Sequence, residues 1–145
     1  MTKDDTLAVR WFHKAAEQGH AQAQNSLGAY YSDPNVADYE QAVYWYRRAV
    51  EQGHVQAQSN LGILYYAGRG VAKNDTVAAS LFRKAAEQGH AQGQRHLGLF
   101  YEYGKGVAKS NTLALYWYEQ SLKNQQPDDQ LMVQDLKERI EKLKR

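Results

Sequence analysis

The chain has 145 residues, 43% apolar and 12% aromatic, enough to close a core and too much for a wholly disordered protein. Its 18 basic and 16 acidic side chains leave a net charge of +2 without any basic block, which excludes a surface that tracks a nucleic-acid backbone. With no cysteine there is no disulfide framework and no thiolate zinc site; with no apolar run of about 18 residues, and Met1 followed by Thr2-Lys3-Asp4-Asp5, neither membrane insertion nor a signal peptide is expected.

The first predicted element is a helix over 5–18. Ala8, Trp11, Phe12, Ala15 and Ala16 stand at i, i+3, i+4, i+7 and i+8, one apolar stripe, and Gly19 supplies a left-handed stop. A second helix over 21–31 gathers Gln24, Leu27, Gly28 and Tyr31 on one face, where the glycine lets a neighbouring helix come close. After a loop at Asp33-Pro34, helices over 39–52 and 55–67 repeat the pair, helices over 75–88 and 91–103 repeat it again, and a seventh covers 111–124. The last predicted helix, 128–144, differs in composition. Val133, Leu136, Ile140 and Leu143 form a narrow stripe backed by Asp135, Lys137, Glu138, Arg139, Glu141 and Lys142, as suits a terminal cap. The first helix lacks such a cap, so the face of Trp11 and Phe12 is expected to be partly bare, and self-association through that helix stays open.

These pairs are copies of one unit. Ala15-Ala16-Glu17-Gln18-Gly19-His20 returns as Ala49-Val50-Glu51-Gln52-Gly53-His54 and Ala85-Ala86-Glu87-Gln88-Gly89-His90, at spacings of 34 and 36 residues. Leu27-Gly28, Leu61-Gly62 and Leu97-Gly98 keep the register, as do Tyr31, Tyr65 and Tyr101. Asp4, Asp38, Asn74 and Ser110, all good N-cap types, each stand four residues before a register alanine, at Ala8, Ala42, Ala78 and Ala114. A period of this length signals a solenoid: a single domain over 1–145 with a leading helix, repeats at about 19–52, 53–88 and 89–124, and the cap helix.

The pattern Ala-Glu-x-Gly-His, Ala-Gln-x-x-Leu-Gly-x-x-Tyr, Gly-x-Gly-Val and Ala-x-x-Trp-Tyr, spanning residues 5 to 122, resembles the Sel-one-like repeat family, relatives of the tetratricopeptide repeats. The chain departs from it at Leu81, where other copies have Trp11, Trp45 and Trp117, at Gly93 in place of Ala23 and Ala57, and in the shortened first loop. The resemblance implies an all-α, right-handed solenoid of antiparallel helix pairs with a concave groove, used as a bacterial adaptor. It also implies an alternative, an immunity or inhibitor protein that neutralises a secreted toxic effector such as a lipase. Compartment stays open between cytoplasm and periplasm.

Catalytic and cofactor chemistry finds no support. His20, His54 and His90 sit at equivalent turns, and helix contacts roughly 8–10 Å apart cannot bring three of them to one zinc at about 2.0–2.1 Å. His13 and His96 read as surface residues. The Gly68-Arg69-Gly70 and Gly104-Lys105-Gly106 loops lack the preceding strand or the Gly-Lys-Ser/Thr ending of a phosphate loop. Glu17, Glu51 and Glu87 are one per copy, without a paired carboxylate, and no serine elbow appears. Trp11, Trp45 and Trp117, with Phe12, Tyr46, Phe82 and Tyr118, lie on the stripe assigned to the core. A non-enzymatic protein without metal or cofactor is the expectation.

Binding is expected where copies differ. Residues required for stacking recur in every copy, whereas changing residues are free to recognise a partner. Opposite the Leu-Gly-Tyr face, a 100° wheel places Gln22, Asn25, Ser26 and Ala29 in the first copy, then Gln56, Ser59, Asn60 and Ile63, then Gln92, Arg95, His96 and Leu99. Ile63 and Leu99 would anchor a protein or peptide partner, and Arg95 would meet a carboxylate.

Overall fold

A computed structural model describes residues 3–125 and 129–145, with side chains from residue 7 onward. Eight α-helices and no strand are present among them: α1 Lys3–Glu17, α2 Ala21–Ser32, α3 Tyr39–Glu51, α4 Val55–Ala67, α5 Asp75–Glu87, α6 Ala91–Tyr103, α7 Asn111–Asn124 and α8 Gln130–Lys144. Asp4, expected as the first cap, falls instead within α1, which already runs from Lys3, and the expected start of the last helix at position 128 lies outside the described residues.

Helix starts follow the sequence signals. Side-chain oxygens of Asp38, Asn74 and Ser110 accept from the backbone N–H of Gln41 at 3.3 Å, Val77 at 3.1 Å and Leu113 at 3.1 Å, filling one orphan donor at each helix end. Asp129 does the same for α8, accepting from Met132 at 3.2 Å. The stops after α1, α3, α4, α5 and α6 are left-handed, whereas α2 and α7 end on the extended residues Asp33 and Gln125. Gly53 has φ +78°, its N–H reaches the Val50 carbonyl at 2.8 Å and the His54 N–H reaches the Ala49 carbonyl at 3.1 Å, a double closure that turns the chain straight into the next helix.

The helices group into two compact units, Met1–Lys73 with α1 to α4 and Asn74–Arg145 with α5 to α8. In unit 1, Ala16, Ala23, Leu27 and Trp45 form a buried cluster, with Val9, Ala15 and Tyr31 packed on it. The Tyr46 ring lies so close to Gly28 that a Cβ there would overlap it, and Gly98 meets the Tyr118 ring in the same way in unit 2. These glycines thus serve the close approach that their register suggests.

A buried glutamine ties each set of three helices. The Gln24 side-chain amide donates to the Ala16 carbonyl at 3.1 Å, while its oxygen accepts from the Gln52 side chain at 2.8 Å, joining α1, α2 and α3. Gln94 repeats the arrangement in unit 2, donating to the Ala86 carbonyl at 3.1 Å and accepting from Asn124 at 3.0 Å.

Most aromatics of the stripe are buried as expected: Trp45, Tyr46, Phe82 and Tyr118 are all below 5% exposed. Trp117 is only half-buried, and Trp11 and Phe12 are corrections to the core reading. Trp11 is 62% exposed and Phe12 39%, because among the described residues no helix lies over that face of α1, whereas α1 and α2 cover the equivalent Trp45.

The α8 stripe packs as a cap. Leu136 and Ile140 are buried with Ala114 and Tyr118, and Met132 and Leu143 close over them together with Leu99, Tyr101, Leu115 and Leu122.

Candidate interaction surface

In unit 1 the positions of α2 and α4 opposite the stacking face are joined by side-chain hydrogen bonds. Asn60 donates to the Asn25 side chain at 3.1 Å and accepts from Gln56 at 3.2 Å; the His54 ring bonds Gln22 at 3.0 Å. Asn25 is 8% exposed and Ser59 fully buried, so neither presents a surface to a partner. That corrects the expected surface: two of its positions face neighbouring helices. Gln22 and Ala29 are exposed, and Ser26, Gln56, Asn60 and Ile63 are half-buried.

Unit 2 places ionic and aromatic groups at the equivalent positions. Arg95, His96, Gln92 and Leu99 are half-buried on α6. Leu99 is not a free anchor, because it packs on the α7–α8 cluster. His96 is not a surface residue either. Its ring stacks on Phe82 at 4.7 Å, and burial, helped by the like charge of Arg95 and by His90, lowers its pKa from 6.5 to about 3, so the imidazole is neutral. Burial also lowers the Arg95 guanidinium from its ordinary value, with Asp135 working against the shift.

Beside this face lies a network the sequence reading missed. Glu102 is 6% exposed and accepts from the Tyr118 hydroxyl at 3.1 Å and from Arg139 Nη1 at 3.4 Å. Arg139 also donates through Nε to Asp135 at 3.0 Å. Burial and the adjacent Glu102 carboxylate push the Tyr118 phenol well above its ordinary value. For Arg139, burial acts downward, but bonds to Tyr103 and Asp135 outweigh it and raise the pKa. This network fastens α8 to α6 and α7. In unit 1 the corresponding contact is neutral, the Ser32 and Tyr46 hydroxyls at 3.3 Å.

A second recurring contact was also missed. His13, Arg47 and Arg83 each bond the tyrosine hydroxyl 18 residues on, at Tyr31, Tyr65 and Tyr101, with distances of 2.7, 2.6 and 2.7 Å. His13 further sets its ring edge against Trp45 at 5.7 Å. The constant spacing between these residues was the available signal. Of the three turn histidines, His54 caps its helix by accepting from the Ala57 N–H at 3.2 Å, whereas His20 and His90 make no such bond.

Among the described residues, no group of three or more histidine, aspartate and glutamate side chains could hold a metal ion. None of their helices is long and apolar enough to cross a membrane. The loop glycines shape turns: Gly68 and Gly70 have φ +67° and +71°, and Gly70 lies directly against the Tyr39 carbonyl.

The Sel1 repeat family model matches residues 1–20, 21–54, 55–90 and 91–125. The chain belongs to the Sel1 repeat family. Proteins built of Sel1 repeats are in general protein-interaction scaffolds, typically non-enzymatic. Among solved structures, this Sel1 repeat chain is similar to c5321, a protective antigen present in uropathogenic Escherichia coli strains, with TM-score 0.82 and 38% identity over 92% of the chain and 28% of that protein. It is similar to a Sel1 repeat protein from Oxalobacter formigenes, with TM-score 0.73 and 37% identity over 80% of the chain and 47% of that protein. Helicobacter pylori cysteine rich protein B aligns with TM-score 0.68 and 25% identity, over 87% of the chain and 92% of that protein. The chain therefore spans less than half the length of the first two. No curated protein matches it.

Proposed function

We propose that this Sel1 repeat chain holds a protein partner on the variable face of its second-position helices. The observation that carries the reading is a division of labour within each helix. On α6, Gln94, Leu97 and Gly98 are consumed by stacking, while Gln92, Arg95 and His96 stay partly open on the other side, and Arg95 and His96 differ from their counterparts. On α4, Gln56, Asn60 and Ile63 stand in the same relation to Gln58, Leu61 and Gly62. Extended helix faces of this kind are what repeat proteins use for recognition.

The test is affinity capture from the source cell with the wild type, Ile63→Lys and Arg95→Gln, each shown to be folded by circular dichroism. A partner held by the wild type and reduced with either variant is the expected result. Undiminished capture by both variants would remove this face from consideration. Neutralisation of a toxic effector is a special case, distinguished by whether binding abolishes an activity of the captured protein.

A further inference from the structure

α1 and α3 carry the same stripe in different surroundings. Trp11, Phe12 and Gln18 stand 34 residues before Trp45, Tyr46 and Gln52. In α3 all three are engaged: Trp45 is buried in a cluster with Ala16, Ala23 and Leu27, the Tyr46 ring lies on Gly28, and the Gln52 amide donates to the Gln24 side chain at 2.8 Å. In α1 the counterparts are open. Leu7, Trp11 and Phe12 are exposed, Ala8 is exposed where Ala42 is fully buried, and the exposed Gln18 side chain makes no hydrogen bond with any described residue. Grouped exposed aromatics beside an unpaired amide have the character of a contact surface.

The internal repeat specifies what fits this surface. α2 covers α3, and α6 covers α7, by one arrangement. Gln24 and Gln94 accept from Gln52 and Asn124, and four residues on, Gly28 and Gly98 leave the Tyr46 and Tyr118 rings the space a Cβ would fill. Leu27 and Leu97, just before these glycines, are fully buried. One further position follows the ring opposite. Four residues after each glycine, Ser32 meets the Tyr46 hydroxyl at 3.3 Å and Glu102 accepts from the Tyr118 hydroxyl at 3.1 Å. Phe12 has no hydroxyl, so a polar group in that place over α1 would be covered without a partner, and an aliphatic side chain fits instead.

We propose that α1 docks a helix from another Sel1 repeat polypeptide, with glutamine, leucine and glycine at the spacing of Gln24, Leu27 and Gly28 and an aliphatic residue four positions after the glycine. The contact continues between two chains the interface that α2 makes with α3 inside one. A second copy of this chain does not meet the specification. Its three Leu-Gly helices carry Ser32, Tyr66 and Glu102 at the deciding position, and its Gly28 and Gly98 are already filled by Tyr46 and Tyr118.

The test is fluorescence anisotropy of a labelled peptide titrated with the full chain. The probe has the sequence of residues 19–33 with Ser32→Leu, locked helical by a hydrocarbon staple at Gln22 and Ser26, which lie outside the cluster around Trp45. Saturable binding is expected, weakened at least about tenfold by Trp11→Ala in the chain or Gly28→Val in the peptide, and about threefold by Gln18→Ala. The peptide that keeps Ser32 should bind less tightly than the leucine form. Equal binding of the glycine and valine peptides would reduce the contact to unspecific apolar adhesion and overturn the docking geometry. Equal binding of the serine and leucine peptides overturns the specification at the deciding position, and no binding by the stapled probe overturns the site. In sedimentation the chain alone should be monomeric; a dimer lost in Trp11→Ala would give the face to a second copy and overturn the choice of partner.

Discussion

Asn25 and Asn60 in unit 1 are joined as a pair of neutral amides beside a Ser59 hydroxyl left unbonded, whereas unit 2 places Arg95 and His96 at the corresponding positions and leaves a nitrogen of each unbonded. The contrast recurs two turns further on. Ser32 and Tyr46 share a hydroxyl contact in unit 1, while the equivalent Tyr118 donates to a buried Glu102 that is also held by Arg139. The stacking geometry is the same in both, down to a tyrosine ring against a glycine. The difference teaches that the backbone repeat does not dictate the chemistry of its variable positions. Each pair is settled by the helix that stands opposite, with neutral bonds in one unit and charged groups in the other.

The largest expected break is at the buried carboxylate. Glu102→Ala leaves the Tyr118 hydroxyl and Arg139 without their acceptor and should cost about 3 kcal/mol in urea denaturation, against less than about 1 kcal/mol for Ser32→Ala. Equal losses would show that the ionic contact carries no more weight than the neutral one. A smaller effect sharpens the same point. Gly98→Ala and Gly28→Ala should each cost about 2 kcal/mol by overpacking, despite alanine's better helix propensity. The cost should be greater at Gly98, because Tyr118 is tethered to Glu102 and less able to yield.

The smallest effect differs in sign between units. Asn60→Leu strands Asn25 and should cost about 1 kcal/mol, whereas His96→Leu removes an orphan and should be neutral or slightly stabilising. Acid provides an independent check. His96, with Arg95 and His90 facing it, stays neutral in the fold down to a pKa of about 3, while the unfolded chain protonates it below 6.5. Stability should therefore be fully present above pH 6.5 and fall as pH drops toward 3, and His96→Leu should flatten that part of the denaturation profile.

What the sequence made legible is whatever one helix and its turn contain. The period, the left-handed glycines and the caps at Asp38, Asn74 and Ser110 are local chemistry repeated in register, and the helices appear within about two residues of their expected bounds. What it hid depends on a second helix. A wheel drawn on α2 or α4 cannot show that Asn25 and Ser59 are covered by neighbours, nor one on α6 that Leu99 belongs under α8. Trp11 and Trp45 have the same place in the repeat and opposite exposure for that reason. Arg139 read as part of a solvated charged face, although it reaches across to Glu102, a partner 37 residues away in the chain.

The glutamine pins carry a dynamic consequence. Because Gln24 is bonded at once to the end of α1 and to the end of α3, and Gln94 likewise to α5 and α7, no helix of either trio can lift away without breaking a bond that orders the others. A stack of helices with only nearest-neighbour contacts can fray one element at a time. Here each trio should exchange its backbone hydrogens as one cooperative block, and the amide protons of α2 and α6, the middle member of each, should be the last to be lost.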